Sequence, residues 1–202
     1  MKVGLYFGTF NPIHVGHLLI ANYMAENTEL KEVWFVVSPH NPHKEKKTLL
    51  KGHHRLEMVR LAIGGNSKLT ESEVEFSLPQ PSYTATTLAY LKEKHPSYSF
   101  SLLMGEDNLR GFHKWYNYEE ILANHKLYVY PRVITIQEQG KQKRSLETTP
   151  ISNHKNVIFC EGAPIIKISS SFIRKEIADQ KDVSSLLTEK VYKYLGEMNF
   201  YK

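Results

Sequence analysis

Gly8-Thr9-Phe10-Asn11-Pro12-Ile13-His14-Val15-Gly16-His17 stands between a short apolar run and a helix-forming one. Before it, Val3, Leu5 and Phe7 alternate with Gly4, Tyr6 and Gly8, the period-two pattern of a strand. After it, residues 17–25 carry helix formers with apolar groups three and four apart. The decamer is therefore a strand-to-helix turn that is polar and rich in glycine. Such a turn suits an anion. The helix start offers unpaired N–H groups and partial positive charge, the glycines let backbone approach closely, and two imidazoles supply donors near neutral pH.

Two plainer readings compete. The histidines could cap the helix or fill a polar gap, but Thr9, Asn11-Pro12, His14, Gly16 and His17 together after a strand make a less accidental set than a lone glycine motif. Two histidines three apart could also ligate zinc; no cysteine or third histidine joins them locally at ligand spacing.

Outward from this turn, strand and helix patterns alternate. Residues 2–7, 32–37, 69–76, 99–104, 126–130 and 157–160 read as strands. Helices are predicted from about Gly16, through 55–63, 85–94 and 118–123, and finally over 169–178 and 184–195. That alternation implies βαβ crossovers, and hence an α/β fold on a parallel sheet. In a doubly wound sheet ligands gather beyond the carboxyl ends of the strands, where His14, Pro39, Asp107 and Ser169 all fall. Residues 133–156 are polar and read as a solvated loop; the three cations of residues 137–144 have no interleaved aromatic ring to stack a base.

The 202 residues suffice for one well-buried domain and would cramp a second, so the chain is expected to form a single domain over 1–202. With 41% hydrophobic and 23% charged residues, the composition is that of a globular protein. A net charge of +5 favours polyanionic ligands without identifying them. The single Cys160 excludes an internal disulfide and agrees with a reducing compartment. The apolar start ends by Pro12 without a signal-peptide pattern, and no run is long enough to span a membrane, so the expected location is the cytoplasm.

A second polar turn precedes residues 172–174. Ser169, Ser170 and Ser171 place hydroxyls at a helix start, with Arg174 one turn in. Serines there commonly serve as N-caps; beside the first turn they could instead clasp phosphate together with the guanidinium. Asp107, after Gly105-Glu106, reads either as an N-cap or as an acceptor for a ribose or adenine group. Trp115 reads as core or as a ring platform.

Taken together, these stretches resemble a known family. Residues 8–17 are similar to the G-[TS]-F-[DN]-P-x-H-x-G-H signature of the H-x-G-H nucleotidyltransferases, and Ile168-Ser169-Ser170-Ser171-Phe172-Ile173-Arg174 resembles their second signature, I-S-S-T-x-I-R. Ser38-Pro39-His40-Asn41-Pro42-His43-Lys44, Pro81-Ser82-Tyr83-Thr84-Ala85-Thr86-Thr87-Leu88, and Gly105-Glu106-Asp107 followed by Trp115 resemble stretches of bacterial nicotinate-nucleotide adenylyltransferases. The resemblance covers nearly the whole chain. Phe7 departs from the usual glycine, Ser171 from the usual threonine, and residues 133–156 are unusually polar and long.

The resemblance implies a doubly wound, Rossmann-like parallel sheet and transfer of the adenylyl group of ATP to nicotinate mononucleotide. It implies His14, His17 and Arg174 as catalytic residues. ATP would meet Gly8, Thr9, Phe10, Asn11, His14, Gly16, His17, Gly105, Asp107, Ile168, Ser169, Ser170, Ser171 and Arg174. The acceptor would meet Lys44, Tyr83, Thr84, Trp115 and Tyr116. Mg²⁺ is expected to bridge the ATP phosphates, held mainly by substrate and water rather than by protein ligands. The expected partners are the two small-molecule substrates, with no nucleic acid and no membrane, and self-association is left open. Rival readings are the same chemistry on nicotinamide mononucleotide or another phosphorylated acceptor, or a basic nucleic-acid-binding module on the same fold.

Overall fold

The computed structural model describes residues 1–39, 49–131 and 150–202. Six parallel strands form its sheet: β1 (Lys2–Gly8), β2 (Glu32–Val37), β3 (Leu69–Ser72), β4 (Ser99–Gly105), β5 (Leu127–Tyr130) and β6 (Val157–Phe159). Their spatial order is β3-β2-β1-β4-β5-β6, and every neighbouring pair is parallel. The chain winds outward from β1 to β3, returns, and winds the other way from β4. The order thus reverses between β1 and β4, which opens a crevice beyond Gly8 and Gly105.

Alternation along the strands divides the core between the two faces. Tyr6, Phe35, Leu103 and Tyr128 belong to one apolar cluster, while Leu5, Val36, Leu102 and Val129 belong to the other. Both faces are buried because the crossovers place helices on each. The described helices are α1 (Val15–Asn27), α2 (Gly52–Ile63), α3 (Thr84–Lys94), α4 (Glu106–Gly111), α5 (Tyr118–Asn124), α6 (Ser170–Ala178) and α7 (Glu189–Glu197). Leu56, Met58, Val59 and Ile63 bring α2 onto the first cluster; Leu88 and Leu91 bring α3 onto the second.

Three expectations are corrected. The strand expected over 69–76 stops at Ser72, and Val74–Phe76 forms a 3-10 turn. There the carboxylate of Glu75 is buried and accepts from the Thr87 hydroxyl at 2.9 Å. The helix expected over 184–195 divides into a 3-10 turn at Ser184–Leu186 and α7, because Asp182 caps Ser184 and the backbone is extended at Leu187 and Thr188. Residues 110–114, expected as a charged loop before Trp115, instead end α4 and form a 3-10 turn at Phe112–Lys114. Of the polar stretch 133–156, residues up to 149 lie outside the described set, and Pro150–Asn153 is a 3-10 turn leading into β6. Among the described residues no helix is long and apolar enough to cross a membrane.

Candidate active site

The turn after β1 is shaped by two aromatic contacts. Phe10 takes a left-handed backbone with φ of 45°, and its ring folds back over Gly8, where a Cβ would lie 2.7 Å from the ring. That ring is buried edge-on against Tyr6, Phe35 and His17, at centroid distances of 5.9, 5.4 and 5.1 Å. Phe10 therefore anchors the turn from beneath, and Gly8 is required by a neighbouring side chain.

His14 stands at the N-cap of α1 with extended backbone, and its N–H donates to Nδ1 of His17 across 3.2 Å. The two imidazoles stack, with centroids 3.8 Å apart and an interplanar angle of 26°. Because Nδ1 of His17 accepts, a neutral His17 carries its proton on Nε2, the atom that can donate elsewhere. At Gly16 a Cβ would meet Ile166 Cγ2 at 2.8 Å and His14 Nδ1 at 3.0 Å. Its lack of a side chain admits the segment leading to α6, so the two signature stretches pack against each other.

Hydrogen bonds complete that junction. Ser169 is the N-cap of α6 and accepts from the N–H of Phe172 at 3.2 Å. Ser170 Oγ donates to the Pro12 carbonyl at 2.8 Å. Arg174 donates through Nη1 to the Asn11 carbonyl at 2.7 Å and through Nη2 to Ser171 Oγ at 3.1 Å. Burial lowers the pKa of this guanidinium below its ordinary value, with Tyr201 opposing. Ile168 is half-buried and packs against the core, holding the strip that precedes the serines.

Asn11 is more heavily engaged than its sequence suggests: its Oδ1 accepts from the Leu50 N–H at 3.2 Å and from the Tyr201 hydroxyl at 2.6 Å. Nearby, Arg55 is 1% exposed and donates to four backbone carbonyls, those of Thr9, Ser38, Pro39 and Leu50, at 2.6 to 2.9 Å. Burial pulls its pKa down to about 10. The tyrosine hydroxyl is pushed up by its own burial, with the Arg174 and Arg55 cations opposing. Sequence reasoning assigned neither Arg55 nor Tyr201. A signal for Arg55 existed, since it lies on the buried stripe of α2 with Leu56, Val59 and Ile63.

On the opposite side of the crevice, Gly105 is the N-cap of α4, so Asp107 is not that cap; it sits in the first turn of the helix. Tyr83 is the N-cap of α3 and Thr84 its first residue. Tyr83 and Tyr116 come together, with ring centroids 4.9 Å apart, and both rings remain about half exposed. Trp115 is half-buried and packs on Phe112 at 5.2 Å, against the second apolar cluster. Asn117, left-handed at φ of 51°, turns the chain from Tyr116 into α5. Lys44 lies outside the described residues. Cys160 is buried beside β5, and burial raises its thiol pKa, an environment that makes a poor nucleophile.

A reversing parallel sheet with two signature turns interlocked at its switch point accords with a nucleotidyltransferase of the cytidylyltransferase-like class, and the Cytidylyltransferase-like family matches residues 5–176. The sequence is 55% identical over 201 residues to a "probable nicotinate-nucleotide adenylyltransferase" of Christiangramia forsetii, covering 100% of this chain and 98% of that protein. A protein of the same description from Flavobacterium psychrophilum is 54% identical over 202 residues, covering 100% of both. The chain belongs to the family of bacterial nicotinate-nucleotide adenylyltransferases. In fold it matches the Plasmodium falciparum nicotinic acid mononucleotide adenylyltransferase solved with NaAD, with a TM-score of 0.74 at 21% identity, covering 99% of this chain and 97% of that one.

Proposed function

We propose that this chain transfers the adenylyl group of ATP to nicotinate mononucleotide, giving deamido-NAD and pyrophosphate in NAD biosynthesis. An oxygen of the mononucleotide phosphate attacks the α-phosphorus of ATP. The bond from that phosphorus to the bridging oxygen breaks, and pyrophosphate leaves with the electron pair. The acceptor supplies the nucleophile, so the protein's work is to align two anions and offset charge as the leaving group forms.

The observation that carries this reading is the docking of α6 on the first turn, through Ser170 to Pro12 and Arg174 to Asn11. It sets the start of α1, the start of α6 and a guanidinium around one region, an anion-binding combination. In this reading His17 donates through Nε2 to the phosphates, His14 holds its partner ring, and Arg174 with Ser169, Ser170 and Ser171 receives the departing pyrophosphate. Gly8, Thr9, Phe10, Asn11, Gly16 and Ile168 fix the shape of the turn, and Gly105 and Asp107 face the nucleoside end. Tyr83, Thr84, Trp115 and Tyr116, with Lys44, take the acceptor.

Mg²⁺ belongs to this reading as an ion carried by the triphosphate, where it would offset phosphate charge. Among the described residues no three His, Cys, Asp or Glu side chains are placed to hold a metal, and Mg²⁺ typically keeps its waters and binds substrate phosphates. One domain over 1–202, working in the cytoplasm on small molecules, completes the proposal. The test is pyrophosphate release by the purified protein given ATP, Mg²⁺ and separate acceptors. Release with nicotinate mononucleotide is expected; release only with another phosphorylated acceptor, or salt-sensitive RNA binding without release, would replace this reading.

A further inference from the structure

We infer that Arg55 is a positioning residue that keeps the ATP-side turn and the acceptor-side helix α3 in the mutual register that adenylyl transfer requires. The inference rests on the proposed function.

Arg55 projects from α2 into the region where several loop ends meet. Its Nη1 bonds both the Thr9 carbonyl, in the turn after β1, and the Ser38 carbonyl, just past β2. Nη2 bonds the Pro39 carbonyl, and Nε bonds that of Leu50. Four of the five guanidinium donors are thus spent on main chain from three segments. A lysine has only three donors on one nitrogen and could not span the same fork.

From this guanidinium, hydrogen bonds run to both halves of the site. Towards the pyrophosphate side, the Leu50 N–H donates to Asn11 Oδ1, and the Asn11 carbonyl accepts from Arg174. Towards the acceptor side, Ser38, whose carbonyl Arg55 holds, interacts through its side chain with Glu75. Glu75 Oε1 lies 2.9 Å from Thr87 Oγ1, and the same hydroxyl lies 3.3 Å from the Tyr83 carbonyl. Arg55, Glu75 and Thr87 are all buried. The buried links of this chain are costly to break, since breaking one strands a buried donor or acceptor. Each end could bind its own substrate without the connection. In-line attack needs both substrates placed together, and a misplacement near 1 Å is enough to slow it.

The experiment compares wild type and Arg55→Lys by steady-state pyrophosphate release and by calorimetric titration of ATP and of nicotinate mononucleotide, each alone. The expected result is a kcat lower by about 10- to 10²-fold, with each dissociation constant within about threefold of wild type and about one site per chain for each ligand. An unchanged kcat overturns the inference. A loss of binding stoichiometry that matches the loss of rate is the signature of a partly unfolded protein, and the second variant then decides. Should Arg55→Lys not fold, Ser38→Ala decides: it keeps the carbonyl that Arg55 uses and removes only the link to Glu75. A fall in kcat of roughly fivefold at unchanged binding is expected there, and no fall overturns the inference. A wild type that binds both ligands yet releases no pyrophosphate removes the adenylyl-transfer reading and takes this inference with it; an active wild type confines any failure to Arg55.

Discussion

Arg174 places its Nη1 2.7 Å from the backbone carbonyl of Asn11, 163 residues earlier in the chain. The contact is to main chain, so it fixes the path of the first turn and the pose of the guanidinium together. Nη2 is steadied at the same time by Ser171 Oγ at 3.1 Å. Two donors are thereby spent on the protein, out of the five a guanidinium carries.

Replacing Arg174 with Lys tests whether geometry or charge matters. An ammonium keeps the positive charge but cannot hold Asn11 and Ser171 while presenting a planar fork to pyrophosphate. Turnover should fall by about tenfold or more, with weaker product inhibition by pyrophosphate. Steady-state assays at several pyrophosphate concentrations check this. Equal turnover and equal inhibition in the two proteins would leave Arg174 a scaffold residue.

His17 should act on the transition state. Its Nδ1 accepts from the His14 N–H and its ring stacks on that of His14, so a neutral His17 carries its proton on Nε2. His17→Ala is expected to lower kcat by roughly 10²-fold, the scale for losing one preorganised donor. The measurement is kcat on a variant shown to be folded by circular dichroism, and an undiminished value would sink the assignment.

How much of this was legible beforehand depended on whether a residue's partner leaves a mark in the sequence. The turn at 8–17 announces itself because the apolar period changes from two to helical spacing across a glycine-rich gap, and the serines before Arg174 do so at a second helix start. Among the described residues Arg55 bonds main-chain carbonyls, which every residue has, so no complementary side chain pointed to it. Tyr201 meets Asn11 across 190 residues, a separation over which local pattern carries no information. Residues 73–76 misled for a related reason. Val74 and Phe76 alternate around Glu75 as in a strand, yet a buried bond from Thr87 to that carboxylate bends the chain. The neighbour that decided the outcome lay twelve residues away on another element.

Acid stability should depend on Glu29, at the opposite end of the sheet from the site. Its carboxylate pairs with Lys126 and Lys2 and accepts from the Tyr128 hydroxyl at 3.0 Å. Hydrogen bonding from Lys126, then Lys2 and Tyr128, lowers its pKa from 4.5 to about 2. The folded value lies below the unfolded one, so Glu29 adds stability that is fully present above the unfolded pKa and is lost as pH falls from about 4.5 through about 2. The contribution is modest, because Glu29 is 35% exposed and solvent screens the pairs. Urea midpoints across that range should fall less steeply for Glu29→Gln than for wild type; parallel curves would contradict the assignment.

Selectivity for the acid over the amide mononucleotide should arise from donors, not from stacking. Trp115 rests on Phe112, and Tyr83 and Tyr116 stand 4.9 Å apart, so under the proposed function these rings would meet a planar pyridine. A carboxylate and a carboxamide have nearly the same shape, and a ring face treats them alike. The family resemblance implies that backbone N–H groups around Thr84 and Tyr116 meet both carboxylate oxygens, while the amide would present its NH₂ to one of them and set donor against donor. Nicotinate mononucleotide should therefore be preferred by at least about 10²-fold in kcat/KM, equivalent to roughly 2.7 kcal/mol. Trp115→Ala should weaken both acceptors while largely preserving their ratio, because the indole contributes equally to each. Paired kinetics with the two mononucleotides on wild type and Trp115→Ala measure both quantities. Equal use by wild type would remove the preference for the acid and leave adenylyl transfer standing; a ratio that collapses in Trp115→Ala would move discrimination from the backbone to the indole.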